Sequence, residues 1–291
     1  MDQHTLDNKI TELPMLPTVV VNLMTLSVED ERYFDKVLEL AERDPLLALK
    51  IIKISNLVKN SSVKPVLNLK EAIVRLGINE IHGLVASIAV TKVFVPNSPA
   101  EKRLWHHSIQ VAFIARMLVQ QNPEFEIDAE KAYLCGLFHD LGLFLRFEQN
   151  QKDFNHIDDF LWSTPEQHLS VEKNVFEQGH HELSCKICRM WGIPAPIPDI
   201  VLLHHTYQLP AKVTTHPKLT HTIRVLQLAD ICSEVVHHHN TDHLELIVQV
   251  INESPALKSW CDNNAGVYSA LDSHLASCIV DAEQVYALLA I

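Results

Sequence analysis

Five segments of the chain each carry a histidine or an aspartate on what reads as a buried helix face. In LWHHSIQVAFIARMLV (104–119), His107 shares one side of a helix with Val111, Ile114, Ala115 and Leu118, so it points at the core. AYLCGLFHDLGLFL (132–145) has no acidic or basic residue apart from the pair His139-Asp140. An unpartnered carboxylate in such surroundings costs on the order of several kcal/mol. HHELSCKICRMW (180–191) sets His181, Cys185 and Cys188 at i, i+4 and i+7, while His106 and His180, one residue off, are expected to face a neighbouring segment or solvent. IVLLHHT (200–206) carries His204 and His205 straight after an apolar run. TIRVLQLADICSEVV (222–236) lines Asp230 up with Ile223 and Leu226.

Imidazoles and carboxylates without a basic partner are a transition-metal ligand set. Asp140 offers two oxygens and could bridge two ions, which would also remove the burial cost of both carboxylates. Cys135, Gly136 and Gly142, close to His139, leave room between helices. A single histidine on an apolar face is ordinarily a satisfied core residue; five segments aiming His or Asp inward are not explained that way. The alternative is a hydrogen-bonded network without metal, in which neutral imidazoles must satisfy two buried carboxylates. Cys185 and Cys188 form a CxxC without two further ligands at zinc spacing, so they read as small core residues.

The elements that must position these residues are helices. The 291 residues include only 7 glycines, too few for the turns of an antiparallel β fold, and no segment shows a convincing period of two. Helical spacing is predicted over 18–27, 34–42, 78–94, 101–121, 128–147, 170–191 and 219–239, with two or three helices in 242–291 and an irregular 148–168. Asp44-Pro45 opens LLALKIIKISN, and Asn68 caps LKEAIVRL with Glu71 at the third position and Gly77 as the stop. VPNSPAEK (95–102) divides an N-terminal helical subdomain, 1–95, from a metal-site subdomain, 96–240; residues 241–291 close the bundle. The chain is thus expected to be an all-α, multi-helix bundle.

With 24 Lys+Arg against 36 Asp+Glu, the net charge of −12 disfavours a nucleic-acid partner. No apolar run reaches the roughly 18 residues of a membrane span. The acidic N-terminus is unlike a signal peptide, and six scattered cysteines fit a reduced compartment, so a cytoplasmic protein is expected. Of the 18 histidines, His237, His238 and His239 end a helix, where they suit its negative pole.

The order His107, His139-Asp140, His181, His204-His205, Asp230 resembles the HD superfamily of metal-dependent phosphohydrolases, in particular the HD-GYP cyclic-dinucleotide phosphodiesterases with two or three metals. The N-terminal half is similar to the sister HDOD family in LPMLP (13–17), Asp44-Pro45, Asn56 and AIVRLG (72–77), as are Glu182 and WGIP (191–194). The resemblance spans roughly residues 10–235 and implies an HDOD/HD-domain-like bundle. It also implies two divalent transition-metal ions (Fe, Mn, Ni or Zn), with His107, His139, Asp140 and Asp230 on one and Asp140, His181, His204 and His205 on the other. Asp140 would bridge the ions and position an activated water. The chain departs from the HD-GYP pattern at Leu143, where Lys is expected, at TYQLPAKVTTHP (206–217), which replaces the GYP loop, and at Arg103, where trimetal members carry Glu. These departures favour an HDOD-type signal-transduction regulator over an active phosphohydrolase or phosphodiesterase. Its implied partner is a signalling protein or a small phosphorylated ligand.

Overall fold

Glycine scarcity and long apolar runs leave the backbone one economical way to satisfy its polar groups, the helix. The structure, a computed structural model, describes residues 8, 10–25, 32–57, 65–149, 178–239 and 243–289, and no strand occurs among them. We number the helices α1 (Thr18–Thr25), α2 (Arg32–Arg43), α3 (Pro45–Leu57), α4 (Leu69–Leu76), α5 (Ile78–Val93), α6 (Pro99–Gln121), α7 (Ala129–Phe138), α8 (Leu141–Gln149), α9 (His180–Met190), α10 (Ile197–Leu203), α11 (Ala211–Thr214), α12 (Pro217–His239), α13 (Leu244–Asn252), α14 (Pro255–Asn263) and α15 (Gly266–Leu289). The fold is all-α. Most of the predicted irregular stretch at 148–168, and the first turns of the helix predicted from 170, lie outside the described residues.

Local chemistry sets the helix ends. Asp44 Oδ1 accepts the Leu46 and Leu47 N–H groups at 3.2 and 3.1 Å, capping α3. Asn68 Oδ1 accepts the Glu71 N–H at 2.8 Å while its amide donates to the Glu71 carboxylate at 3.0 Å, and Gly77 ends α4 at φ +81°. Asn56 has a tertiary role: its amide donates to the Val66 carbonyl at 2.9 Å and accepts the Val66 N–H at 2.8 Å, tying α3 to the strand-like approach to α4.

The long helix α6 is the axis of the bundle. It packs on α7, α12 and α15, while α8 and α10 pack on α9 beside it and α1–α4 gather around α5. Buried apolar residues from Ile10 to Leu289 make one continuous cluster. Indole N–H groups stitch its parts: Trp105 donates to the Phe94 carbonyl at 2.9 Å, and Trp191, plugging the end of α9, donates to the Pro14 carbonyl at 3.1 Å. Arg116 of α6 lies over the Phe113 and Tyr133 rings and pairs with Glu80 at 2.9 Å and Glu130 at 3.6 Å. Burial pushes the Glu130 carboxyl up to about 7 against the pull of Arg116. No single helix among the described residues is long and apolar enough to cross a membrane; α4 and α5 together are, but they bend by 113°.

His82 on α5 stacks on Tyr33 with ring centroids 5.7 Å apart, and neither ring nitrogen has a hydrogen-bond partner among the described residues. Burial pushes its pKa down to about 4. The folded state therefore refuses a proton that the unfolded chain accepts below about pH 6.5. Its contribution is whole above that pH and is lost as pH falls toward 4, by up to about 3 kcal/mol. His82→Phe, which keeps the stack, is expected to remove that much of the decline in unfolding free energy between pH 6.5 and 4. Urea denaturation across this range checks it, and an unaltered decline refutes the assignment.

Candidate metal centre

The sequence predicts a single helix over 128–147, but the structure breaks it at His139-Asp140 into α7 and α8. The His139 imidazole donates from Nδ1 to the Gly136 carbonyl at 2.7 Å, an acceptor a continuous helix reserves for the Asp140 N–H. Two glycines let neighbouring helices close on this turn. A Cβ on Gly136 would lie 2.6 Å from the Ala112 backbone of α6, and one on Gly142 would lie 2.2 Å from the His180 carbonyl. The Gly142 N–H donates to Ser184 Oγ at 2.8 Å, fixing α9 against the start of α8.

The polar groups that converge here form two ligand sets, Asp140 with His180, His204 and His205, and His107 with His139 and Asp230. Within each set the prospective ligand atoms all lie within 4.8 Å of one another. Asp140 faces both. Its Oδ1 is 3.2 Å from His180 Nε2 and 3.8 Å from His204 Nε2; its Oδ2 is 3.3 Å from His139 Nε2 and 3.7 Å from His107 Nε2. On the far side, Asp230 Oδ1 lies 3.2 Å from His107 Nε2 and 3.8 Å from His139 Nε2.

The nitrogen contacts show what kind of ligand these residues suit. His180 Nε2 is 3.3 Å from His204 Nε2 and 3.1 Å from His205 Nε2, and His107 Nε2 is 3.2 Å from His139 Nε2. His139 spends its proton on Gly136, and His204 donates from Nδ1 to the Val201 carbonyl at 2.6 Å. Their Nε2 atoms therefore turn lone pairs inward. A bond length of 2.0–2.1 Å from a transition metal to imidazole nitrogen puts neighbouring ligand atoms roughly 2.9–3.4 Å apart. The three nitrogen–nitrogen spacings have that value, as do three of the carboxylate contacts, and the others run to 3.7–3.8 Å, so the residues fit divalent cations.

Without a bound cation the cluster compensates its own charge: burial pulls the His139 pKa down, but Asp140 and Asp230 raise it above the usual imidazole value. Burial opposes ionisation of Asp140, but His139 and His180 outweigh it and hold the carboxyl well below its usual range. Burial also opposes ionisation of Asp230, and the His107 and His139 imidazoles beside it overcome that cost. His204 is driven the other way: burial, with His139 and His180 beside it, pushes its pKa well down, leaving a neutral imidazole.

The structure brings His107, His139, Asp140, His204, His205 and Asp230 together. His181 is not among them. It is buried, yet belongs to neither set, and His180 takes the place assigned to it. The reason is the phase of α9: its face toward α8 runs through His180, Leu183, Ser184 and Ile187 and ends on Trp191, all 1% exposed or less. His181, Cys185 and Cys188 lie on the adjoining side. That alternative apolar stripe, with Trp191 eleven residues on, was the available sign. Among the described residues no cysteine joins a ligand set, and burial pushes the Cys185 and Cys188 thiols up. The helix expected to carry His204 and His205 stops at Leu203, and both sit in the turn beyond it.

The HDOD domain model matches residues 13–207. The chain belongs to the HDOD family. An HDOD domain protein of unknown function from Geobacter sulfurreducens is 19% identical, covers 92% of this chain and 97% of its own, and superposes with a TM-score of 0.65. A proposed phosphohydrolase from Shewanella amazonensis SB2B is 18% identical, with 96% and 97% coverage and a TM-score of 0.66. An uncharacterized protein of Treponema pallidum is 21% identical over 211 residues; the HDOD chain aligns to 38% of that relative's length and the relative to 68% of the chain. The two structural likenesses show the shared fold. Asp230 lies beyond the matched residues and reaches the centre from α12.

Gly142→Ala is expected to push α9 away from α8, lowering unfolding free energy by about 3 kcal/mol and weakening cation binding with it. Gly77→Ala, which meets no atom within 4 Å but keeps a strained φ, serves as the control, destabilising by about 1 kcal/mol without affecting the cations. Denaturant titration and metal analysis of both variants check this.

Proposed function

We propose that this HDOD chain is a signal-transduction regulator that holds two divalent transition-metal ions. His107, His139, Asp140 and Asp230 hold one ion, and Asp140, His180, His204 and His205 the other. The observation that carries the reading is Asp140, a buried carboxylate with one oxygen turned to each set of inward-facing imidazole nitrogens. The regulatory input is a partner protein or a small phosphorylated ligand, read by a module whose centre is rigidly held. The solved relatives include a proposed signal transduction protein from Marinobacter aquaeolei VT8, which supports this direction.

The bridging arrangement itself favours a second reading, a metal-dependent phosphohydrolase. Two ions in these positions would supply Lewis-acid activation of water and neutralise charge on a phosphoryl group. This chain's own residues contribute less. A working hydrolase must also clamp the phosphate, and orientation is worth several orders of magnitude in rate. Leu143 stands where the HD-GYP pattern has Lys, and it is buried. Regulation is therefore the better supported role.

Protein purified without a His-tag is expected to contain close to two transition-metal ions per chain by mass spectrometry, and Asp140→Ala to lose both while remaining helical. A metal content near zero after reconstitution would establish the ion-free network instead. With metals present, cyclic dinucleotides and a generic phosphodiester are expected to stay intact; hydrolysis abolished by Asp140→Ala would replace the regulatory reading with the enzymatic one.

A further inference from the structure

His139 and His204 are oriented by carbonyls three residues back on their own helices, but His107 is held by tertiary contacts. Its Nδ1 lies 3.0 Å from Ser233 Oγ. Ser233 donates to Gln110 Oε1 at 3.0 Å, and the Gln110 amide donates to the Glu283 carboxylate of α15 at 3.0 Å. His106 contacts the same carboxylate. Ser233 and Gln110 are buried.

The direction of every bond in this chain is forced. The Glu283 carboxylate can only accept, so Gln110 presents its NH₂ to it and its carbonyl to Ser233. That carbonyl can only accept, so the Ser233 hydroxyl proton goes to it. The hydroxyl oxygen is left to accept, so the proton of His107 sits on Nδ1 and its Nε2 turns a lone pair toward Asp230, His139 and Asp140. Glu234 Oε1, 3.6 Å from the same Nδ1, favours the proton there too. The spacing is economical: His107 and Gln110 are one turn apart on α6, and Asp230 and Ser233 one turn apart on α12. One turn of α12 thus addresses both nitrogens of a single imidazole.

We propose that Glu283, Gln110 and Ser233 are positioning residues that fix the tautomer of His107, which makes the C-terminal helix α15 a support of one cation position. Glu283 and Ser233 both lie beyond the residues that define the HDOD match. The proposal rests on the cation-binding reading above, and its test separates the two. In the full chain titrated with Co²⁺, wild type is expected to take up two ions. Ser233→Ala is expected to weaken one of them about 10- to 100-fold, the usual effect of losing a partner behind a ligating histidine, and to leave the other unchanged. Ser233→Thr restores binding. Glu283→Ala, on a partly exposed side chain that is not itself near the ions, weakens the same ion by a smaller factor and guards against misfolding of the buried variant. Long-range ¹⁵N–¹H spectra of the metal-free protein are expected to show a proton on His107 Nδ1 in wild type and its partial loss from that nitrogen in Ser233→Ala. Two ions bound equally well by wild type, Ser233→Ala and Glu283→Ala would overturn the proposal alone. No Co²⁺ uptake by wild type would overturn the cation reading, and the tautomer spectra would then decide the hydrogen-bond chain.

Discussion

The structure turns on one carboxylate. Asp140 lies at 6% exposure, and among the described residues it faces four imidazoles through two oxygens. Burying an ion costs far more than a fold's net stability unless opposite charge or directed hydrogen bonds compensate. The surrounding architecture answers that demand. α7 breaks so that His139 and Asp140 can turn inward, Gly136 and Gly142 remove the side chains that would hold α6 and α9 away, and α10 stops short so that two consecutive histidines can enter from one turn. Elsewhere the fold solves a similar problem differently. Arg116 sits between Glu80 and Glu130 and needs no outside cation.

What could be read from the sequence was what local physics decides. The cap at Asn68, the stop at Gly77 and the Asp44 cap of α3 depend on residues within a few positions of each other, and each appears in the structure as anticipated. The His139-Asp140 pair was legible because charge inside an apolar run has few explanations. The break in the helix at that pair was not, because the apolar period continues through it and the side-chain bond to Gly136 that competes there leaves no mark on the pattern. His180 was missed for a related reason. Both stripes of α9 are apolar, and which one faces Asp140 is settled by where Ser184 and Trp191 dock, a matter of packing between segments far apart in the chain.

The supports behind the ligands were least visible of all. Ser233 and Gln110 are ordinary polar residues 123 positions apart, and nothing in either helix's periodicity marks them as partners. Their meaning comes from the one acceptor-only group at the end of the chain of bonds. The candidate ligands announce themselves by type; the residues that aim them do so only through geometry.

The contacts at Gly136 and Gly142 also bear on how the candidate ligands are gathered. Small zinc domains gather their ligands only when the ion arrives, so that binding and folding are one event. Here the ligand-bearing helices are brought together by backbone approaches closer than a methyl group permits, and by an apolar cluster running from Ile10 to Leu289. The cage is assembled by the core, not by its contents. On the cation-binding reading proposed above, occupancy and folding are then separate variables: loading the centre would change its buried charge more than its shape.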